Sequence, residues 1–206
     1  MHHPRRQDVR AARLVNFEKG SSVRELERTM CGPRSSCILS REMDVSTDAF
    51  LSIAVRTGRT IVGRLLPGID LIGGLEAVCD EHGIRYAAIN SAYGSLGTAT
   101  FKCLHQPDDP EAAAVLMPQT IDDRVEFLAG QGLVCDDGAS GRVTHLHGAI
   151  SDATGRVLGG HFEPSLNPVY NNLDFVLIEL LGARLTRRWE SETNTVEMLV
   201  SPLEDG

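Results

Sequence analysis

Residues 142–162 read Arg-Val-Thr-His-Leu-His-Gly-Ala-Ile-Ser, then Asp-Ala-Thr-Gly, then Arg-Val-Leu-Gly-Gly-His-Phe. Arg142 to Ser151 alternates in the manner of a strand, Ser151 to Gly155 has turn chemistry, and Arg156 to Phe162 forms a second strand. The segment therefore predicts a β-hairpin. Side chains two apart on a strand share a face, so His145 and His147 look the same way. A three-residue connection sets His161 directly across from His147, whereas a four-residue turn slips the register by one and sends His161 to the other face.

In the first register three imidazoles converge on one patch. Neutral imidazole suits zinc, nickel, copper or iron, and three of them leave a coordination position open. The chain has seven histidines, so the His-Leu-His pair alone reads equally as solvated or core side chains. The third histidine, placed after a hairpin turn and two glycines that admit a close neighbour, tips the reading toward a metal site made of His145, His147 and His161. Glu163 lies two residues past His161 and shares its face. It is a candidate fourth ligand or a base for metal-bound water, or else a solvated carboxylate at the hairpin edge.

Outward from the hairpin, Thr60 to Leu66 is strand-like and Pro67-Gly68 turns. Asp70 then caps a helix whose apolar Leu71, Ile72, Leu75, Val78 and Cys79 have helical spacing, and Gly83 stops it. Ile84 to Asn90 predicts a strand, Tyr93 to Gly97 a glycine-rich turn, and Thr98 to Leu104 a further strand. His105 to Met117 reads as a loop, with a turn of helix through Ala112 to Leu116 as an option. Arg124 to Cys135 predicts a long or broken strand, and Asp174 to Leu180 is the most apolar one. Ala183 to Trp189 and Thr195 to Val200 follow. One helix against about seven or eight strands implies an α+β sheet domain.

Upstream, Ala49 to Val55 fits a strand or a short helix equally, and a boundary falls near Arg56 to Arg59. Residues 1–57 are thus an arm or a degenerate partial repeat, since Val15 to Ser40 loosely echoes Val62 to Ser91. Within the arm, Ser22 and Glu25 have capping-box spacing for a short helix that Gly32-Pro33 ends. Residues 58–206 form the domain.

Charge divides the same way. The chain has 206 residues and a net charge of −8, but residues 1–41 carry nine Lys/Arg against four Asp/Glu, while the remainder carries 11 against 24. An acidic body repels a phosphate backbone, so any nucleic-acid contact falls to the arm; an arm packed on an acidic neighbour or left solvated is the competing reading. Hydrophobic content of 42% and charged content of 23% suit a soluble globular protein. No apolar run approaches the roughly 20 residues of a membrane helix, and no apolar stretch follows the basic N-terminus as a signal peptide requires. Five cysteines without Cys-x-x-Cys spacing fit a reducing compartment, which points to the cytoplasm.

Three groups of residues carry a family resemblance. They are Leu65-Leu66-Pro67-Gly68-Ile69-Asp70-Leu71; Gly83-Ile84-Arg85-Tyr86-Ala87-Ala88-Ile89 with Gly94-Ser95-Leu96; and His145-Leu146-His147-Gly148 with Asp152 to His161. Over roughly residues 58–200 the chain resembles the plants-and-prokaryotes-conserved (PPC, DUF296) domain. The resemblance implies a mixed, mostly antiparallel β-sheet with one or two packed helices, assembled as a trimer. It also implies a metal, commonly zinc, on His145, His147 and His161. Plant members bind AT-rich DNA through an Arg-Gly-Arg-Pro hook that this sequence lacks. Their partner-contacting motif has a faint relative in Arg124-Val125-Glu126-Phe127-Leu128, which reads equally as plain strand.

Two functions follow as expectations. One is a trimeric module holding zinc or another divalent transition metal, with a regulatory or DNA-associated role and weak DNA contact through the arm. The other is a metal-dependent hydrolase or lyase acting on a small molecule at the tri-histidine site, with Glu163 as its base. Gly94 to Gly97 could cradle an anion but reads first as a turn, Asn167 to Asn172 could line the metal pocket, and Arg187-Arg188-Trp189 is thin evidence for base stacking.

Overall fold

The computed structural model describes residues 50–109, 114–191 and 195–203. The arm helix at 22–28 and the first copy of the proposed repeat, Val15 to Ser40, lie outside the described residues. Within them, ten strands and one helix follow in the order β1 (Arg56–Leu65), α1 (Leu71–Glu81), β2 (Ala87–Leu96), β3 (Ala99–His105), β4 (Val115–Ile121), β5 (Val125–Asp136), β6 (Arg142–Ser151), β7 (Val157–Phe162), β8 (Val169–Leu181), β9 (Ala183–Glu190) and β10 (Thr195–Pro202). Eight strands line up as β1-β8-β2-β5-β6-β7-β3-β4, and the β9–β10 hairpin joins β5. Every ladder is antiparallel except the parallel contact of Asp136 in β5 with Thr186 in β9. The α+β architecture is thus a mostly antiparallel sheet with one short helix.

The helix forms where its sequence dictates. The Asp70 carboxylate accepts the Gly73 N–H at 2.9 Å, satisfying one of the free donors of the first turn, and its other oxygen accepts the Asn167 N–H at 3.0 Å. One side chain thereby caps α1 and pins the entry to β8. Leu71, Ile72, Leu75 and Cys79 are buried against one face of the sheet. They meet Leu65, Ile89, Phe101, Phe127, Leu146, Ile150, Phe162, Leu173, Phe175 and Leu177, the inward-facing residues of the strands. Gly83, at φ 61°, ends the helix in the left-handed region.

Several boundaries differ from the sequence reading. Phe50 to Val55 is neither helix nor strand, and β1 begins at Arg56. Tyr93 to Leu96 is not a turn: β2 runs through it, paired on one side with β5 and on the other with β8. The ladder slips at Ala92/Gly94, and Gly94 has φ 153°; a Cβ there would run into the Asn172 carbonyl oxygen, so glycine marks an irregularity inside a strand. Val115 to Ile121 is a strand and not loop or helix. It pairs with β3 at the sheet edge with almost every side chain exposed, so it shows no alternation to read.

The β9–β10 hairpin is held by a second, small core of Tyr86, Cys135, Ala183 and Leu185, with Leu133, Met198 and Val200 against it. Asp136 anchors it. Its carboxylate accepts from the Tyr86 hydroxyl at 2.6 Å, Thr186 at 2.8 Å, Arg85 at 2.9 Å and the Gly138 N–H at 3.0 Å. Burial pushes this carboxyl up, but the hydrogen bonds outweigh burial and hold it at about 2. A folded value below the unfolded one means the contribution is complete above about pH 4 and is lost as pH falls toward 2. Asp136→Asn is therefore expected to destabilise the protein by about 2 kcal/mol at pH 7. In urea melts of both proteins the difference should shrink between pH 4 and pH 2; a pH-independent difference would contradict this account.

Candidate metal centre

The hairpin of β6 and β7 takes the register that unites the histidines. The Asp152 N–H donates to the Arg156 carbonyl at 3.0 Å, leaving Ala153, Thr154 and Gly155 as the three-residue connection. Gly155 supplies the φ of 79° that this turn requires. The Asp152 carboxylate accepts from the Thr154 and Arg156 N–H groups, the Thr154 hydroxyl and the Arg156 guanidinium. These bonds hold its carboxyl well below the usual range, with the Thr154 hydroxyl the largest contributor. His147 and His161 are consequently direct cross-strand partners.

Leu146 and Phe162 point into the core, so the flanking His145, His147 and His161 emerge on the sheet face opposite α1. The three ring centroids are 4.8, 4.9 and 5.4 Å apart. One ligand nitrogen from each lies within 4.8 Å of the others, and this is the one such group of potential metal ligands among the described residues. His145 and His161 are half-buried while His147 is exposed. Burial, reinforced by Arg187 and the neighbouring imidazoles, lowers His145 to about 4. Burial also lowers His161, against the opposing pull of Glu163. The donor set is thus composed of nitrogen ligands that can face one ion from an open side, and it fits a divalent transition metal.

Glu163 is near but bound elsewhere. Its Oε1 lies 3.4 Å from His161 Nε2 and 2.8 Å from Lys102 Nζ, and no carboxylate belongs to the cluster of mutually close ligand atoms. Lys102 is placed by pairing: it is the cross-strand partner of His161, and Gly160 lets the β3 backbone approach where a Cβ would meet the Lys102 carbonyl. Asn167 is fully buried; it accepts the Thr100 N–H at 2.7 Å and donates to the Glu163 carbonyl at 2.7 Å, so it positions the Glu163 backbone and does not line the histidine patch. Val169 to Asn172 belong to β8, and Gly94 to Leu96 are strand, not an anion loop. Sequence reading passed over Lys102, whose link to His161 exists only through the β3–β7 pairing.

The sequence profile of the Plants and Prokaryotes Conserved (PCC) domain matches residues 53–181. The bifunctional protein GlmU of Synechococcus sp. (strain JA-3-3Ab) is 34% identical over 135 residues, which is 66% of this chain and 19% of that protein. The chain spans about a fifth of the length of the curated relatives it matches. Among solved structures it is similar to a metal-containing protein of Archaeoglobus fulgidus, at TM-score 0.62 and 23% identity over 73% of this chain and 99% of that one. A plant- and prokaryote-conserved (PPC) protein of Pyrococcus horikoshii superposes at TM-score 0.58 and 20% identity over 71% and 96%. A candidate DNA-binding protein of Ralstonia eutropha JMP134 does so at 0.54 and 20% over 66% and 88%. At these identities the structural likeness establishes a common fold. No helix among the described residues is long and apolar enough to cross a membrane.

Proposed function

This chain belongs to the Plants and Prokaryotes Conserved domain family, and on that premise we propose that it is a metal-binding homotrimer with a regulatory or DNA-associated role. His145, His147 and His161 hold one divalent transition metal per chain, zinc being the first expectation. The convergence of three imidazole nitrogens within 4.8 Å carries this reading. The metal supplies Lewis acidity when bound; the chain supplies three ligands and, through Lys102 and Glu163, an ionic frame behind His161. The metal-containing relative from Archaeoglobus supports the assignment.

Assembly is supported by what the helix leaves bare. Val62, 75% exposed, is the cross-strand partner of Val176 on the face opposite α1, and Tyr93 beside them is 52% exposed. A second copy is the natural cover for such a surface. Light scattering at micromolar concentration should return about three times the 22.4 kDa chain mass, and a monomer would refute the assembly. Glu163 beside an open centre favours a second reading, a metal-dependent hydrolase or lyase in which this carboxylate is the base.

DNA association, where the candidate DNA-binding relative is the support, falls to residues 1–57, since the charge counts put the excess of cations there. Fluorescence anisotropy with duplex DNA should show weak binding that falls steeply with salt and disappears when Arg5, Arg6, Arg10 and Arg13 are changed to glutamine. Binding that persists after all nine Lys/Arg of residues 1–41 are changed to glutamine would place recognition in the acidic body instead.

A further inference from the structure

We propose that the metal centre is built to take a small anion, a carboxylate or phosphate-type oxyanion, held between the metal's open position, Lys102 and Arg187. The inference rests on the metal-binding reading above and names the ligand class of that site.

Strand register puts one cation on each flank. Lys102 leaves β3 on the same face as its partner His161 and reaches Glu163 with Nζ, keeping two further N–H donors. On the other flank, Arg187 pairs with Met198 and Leu185 with Val200, so these four share one face of the β9–β10 hairpin. Leu185, Met198 and Val200 pack with Cys135 and Leu133, and Leu133 is the cross-strand partner of His145. Arg187 therefore leaves its hairpin toward the strand row that carries the histidines. Its positive field reaches both His145 and His161.

The charges around the loaded centre do not balance. Three neutral imidazoles add nothing to offset a divalent ion, and among the described residues the carboxylate that lies against His161, Glu163, is already matched by Lys102. Arg187 donates to the Val196 carbonyl at 2.5 Å and has no carboxylate partner among the described residues. A half-buried centre with this excess of positive charge, on a chain of net charge −8, selects an anion as its remaining ligand. Guanidinium and ammonium donors then supply charge-assisted hydrogen bonds from both sides, which a neutral ligand cannot use as well. Arg187 lies beyond residues 53–181, the extent of the family match, so the β9–β10 hairpin adds one of the two cations.

The test uses the full chain loaded with Co²⁺, whose visible absorption reports directly on the metal's ligands. Acetate and inorganic phosphate are titrated separately, with acetamide as the neutral control. The proposal expects a saturable spectral change with at least one anion below about 10 mM and none with acetamide. The anion that saturates first distinguishes carboxylate from phosphate chemistry. Arg187→Gln should weaken that binding about tenfold while cobalt stoichiometry and the thermal melt stay unchanged, and Lys102→Arg, which keeps the charge against Glu163, should retain it. Full cobalt loading with no response to either anion, or equal affinity in Arg187→Gln, overturns the anion site and leaves the metal site standing. Failure to take up cobalt at all overturns the metal reading and this inference with it.

Discussion

Replacing His145, His147 and His161 together with alanine is expected to reduce bound metal from about one ion per chain to background. The reason is geometric as well as chemical. The three imidazoles stand on two paired strands whose opposite-facing neighbours, Leu146 and Phe162, are fully buried, so their loss removes the ligands without opening the core. Plasma emission measurement of metal on the dialysed protein reads the outcome, and circular dichroism shows that the fold persists. Metal content unchanged in the triple variant would eliminate the site. Glu163→Gln retains all three nitrogens and should lower affinity by roughly ten- to a hundredfold, the usual cost of disturbing a neighbour of a ligand.

Phe127→Ala is expected to cost about 4 kcal/mol. Phe127 is 1% exposed, stacks edge-on to Phe162 with centroids 5.2 Å apart, and fills the space over Gly130 and Gly148. A Cβ at either glycine would approach the Phe127 ring to about 2.7 Å, so both positions are small because the ring is there. Removing the ring leaves a cavity that β5 and β6 can close only by shifting their shared ladder, the one that carries His145 and His147. Chemical denaturation should show the loss in midpoint with little change in slope. A loss below about 1 kcal/mol would mean that the sheet relaxes around the gap.

The sequence reading and the structure part company at identifiable places. The helix was legible from Asp70, the apolar spacing and Gly83, because each signal acts within one or two turns of chain. The hairpin register was legible as a condition, since Asp152 to Gly155 holds the turn chemistry that satisfies it. β4 was not legible: an exposed edge strand pays little for its choice of side chains and displays no period. The continuation of β2 through Tyr93 to Leu96 was hidden because Gly94 serves there to admit the β8 backbone, which looks in sequence like a turn.

The chain by itself determined the local facts: the helix capped by Asp70, many strands, an acidic body after a basic arm, and three histidines separated by a tight turn. Tertiary structure alone decided which residues surround those histidines. Lys102 precedes His161 by 59 positions and reaches it through the β3–β7 pairing, while Arg187 follows it by 26 and is turned toward the histidine strands by the packing of its hairpin on Leu133 and Cys135. Local propensity acts between residues a few positions apart, whereas the charge environment of a site is set by distances in space. Those distances exist only after the sheet has chosen its strand order.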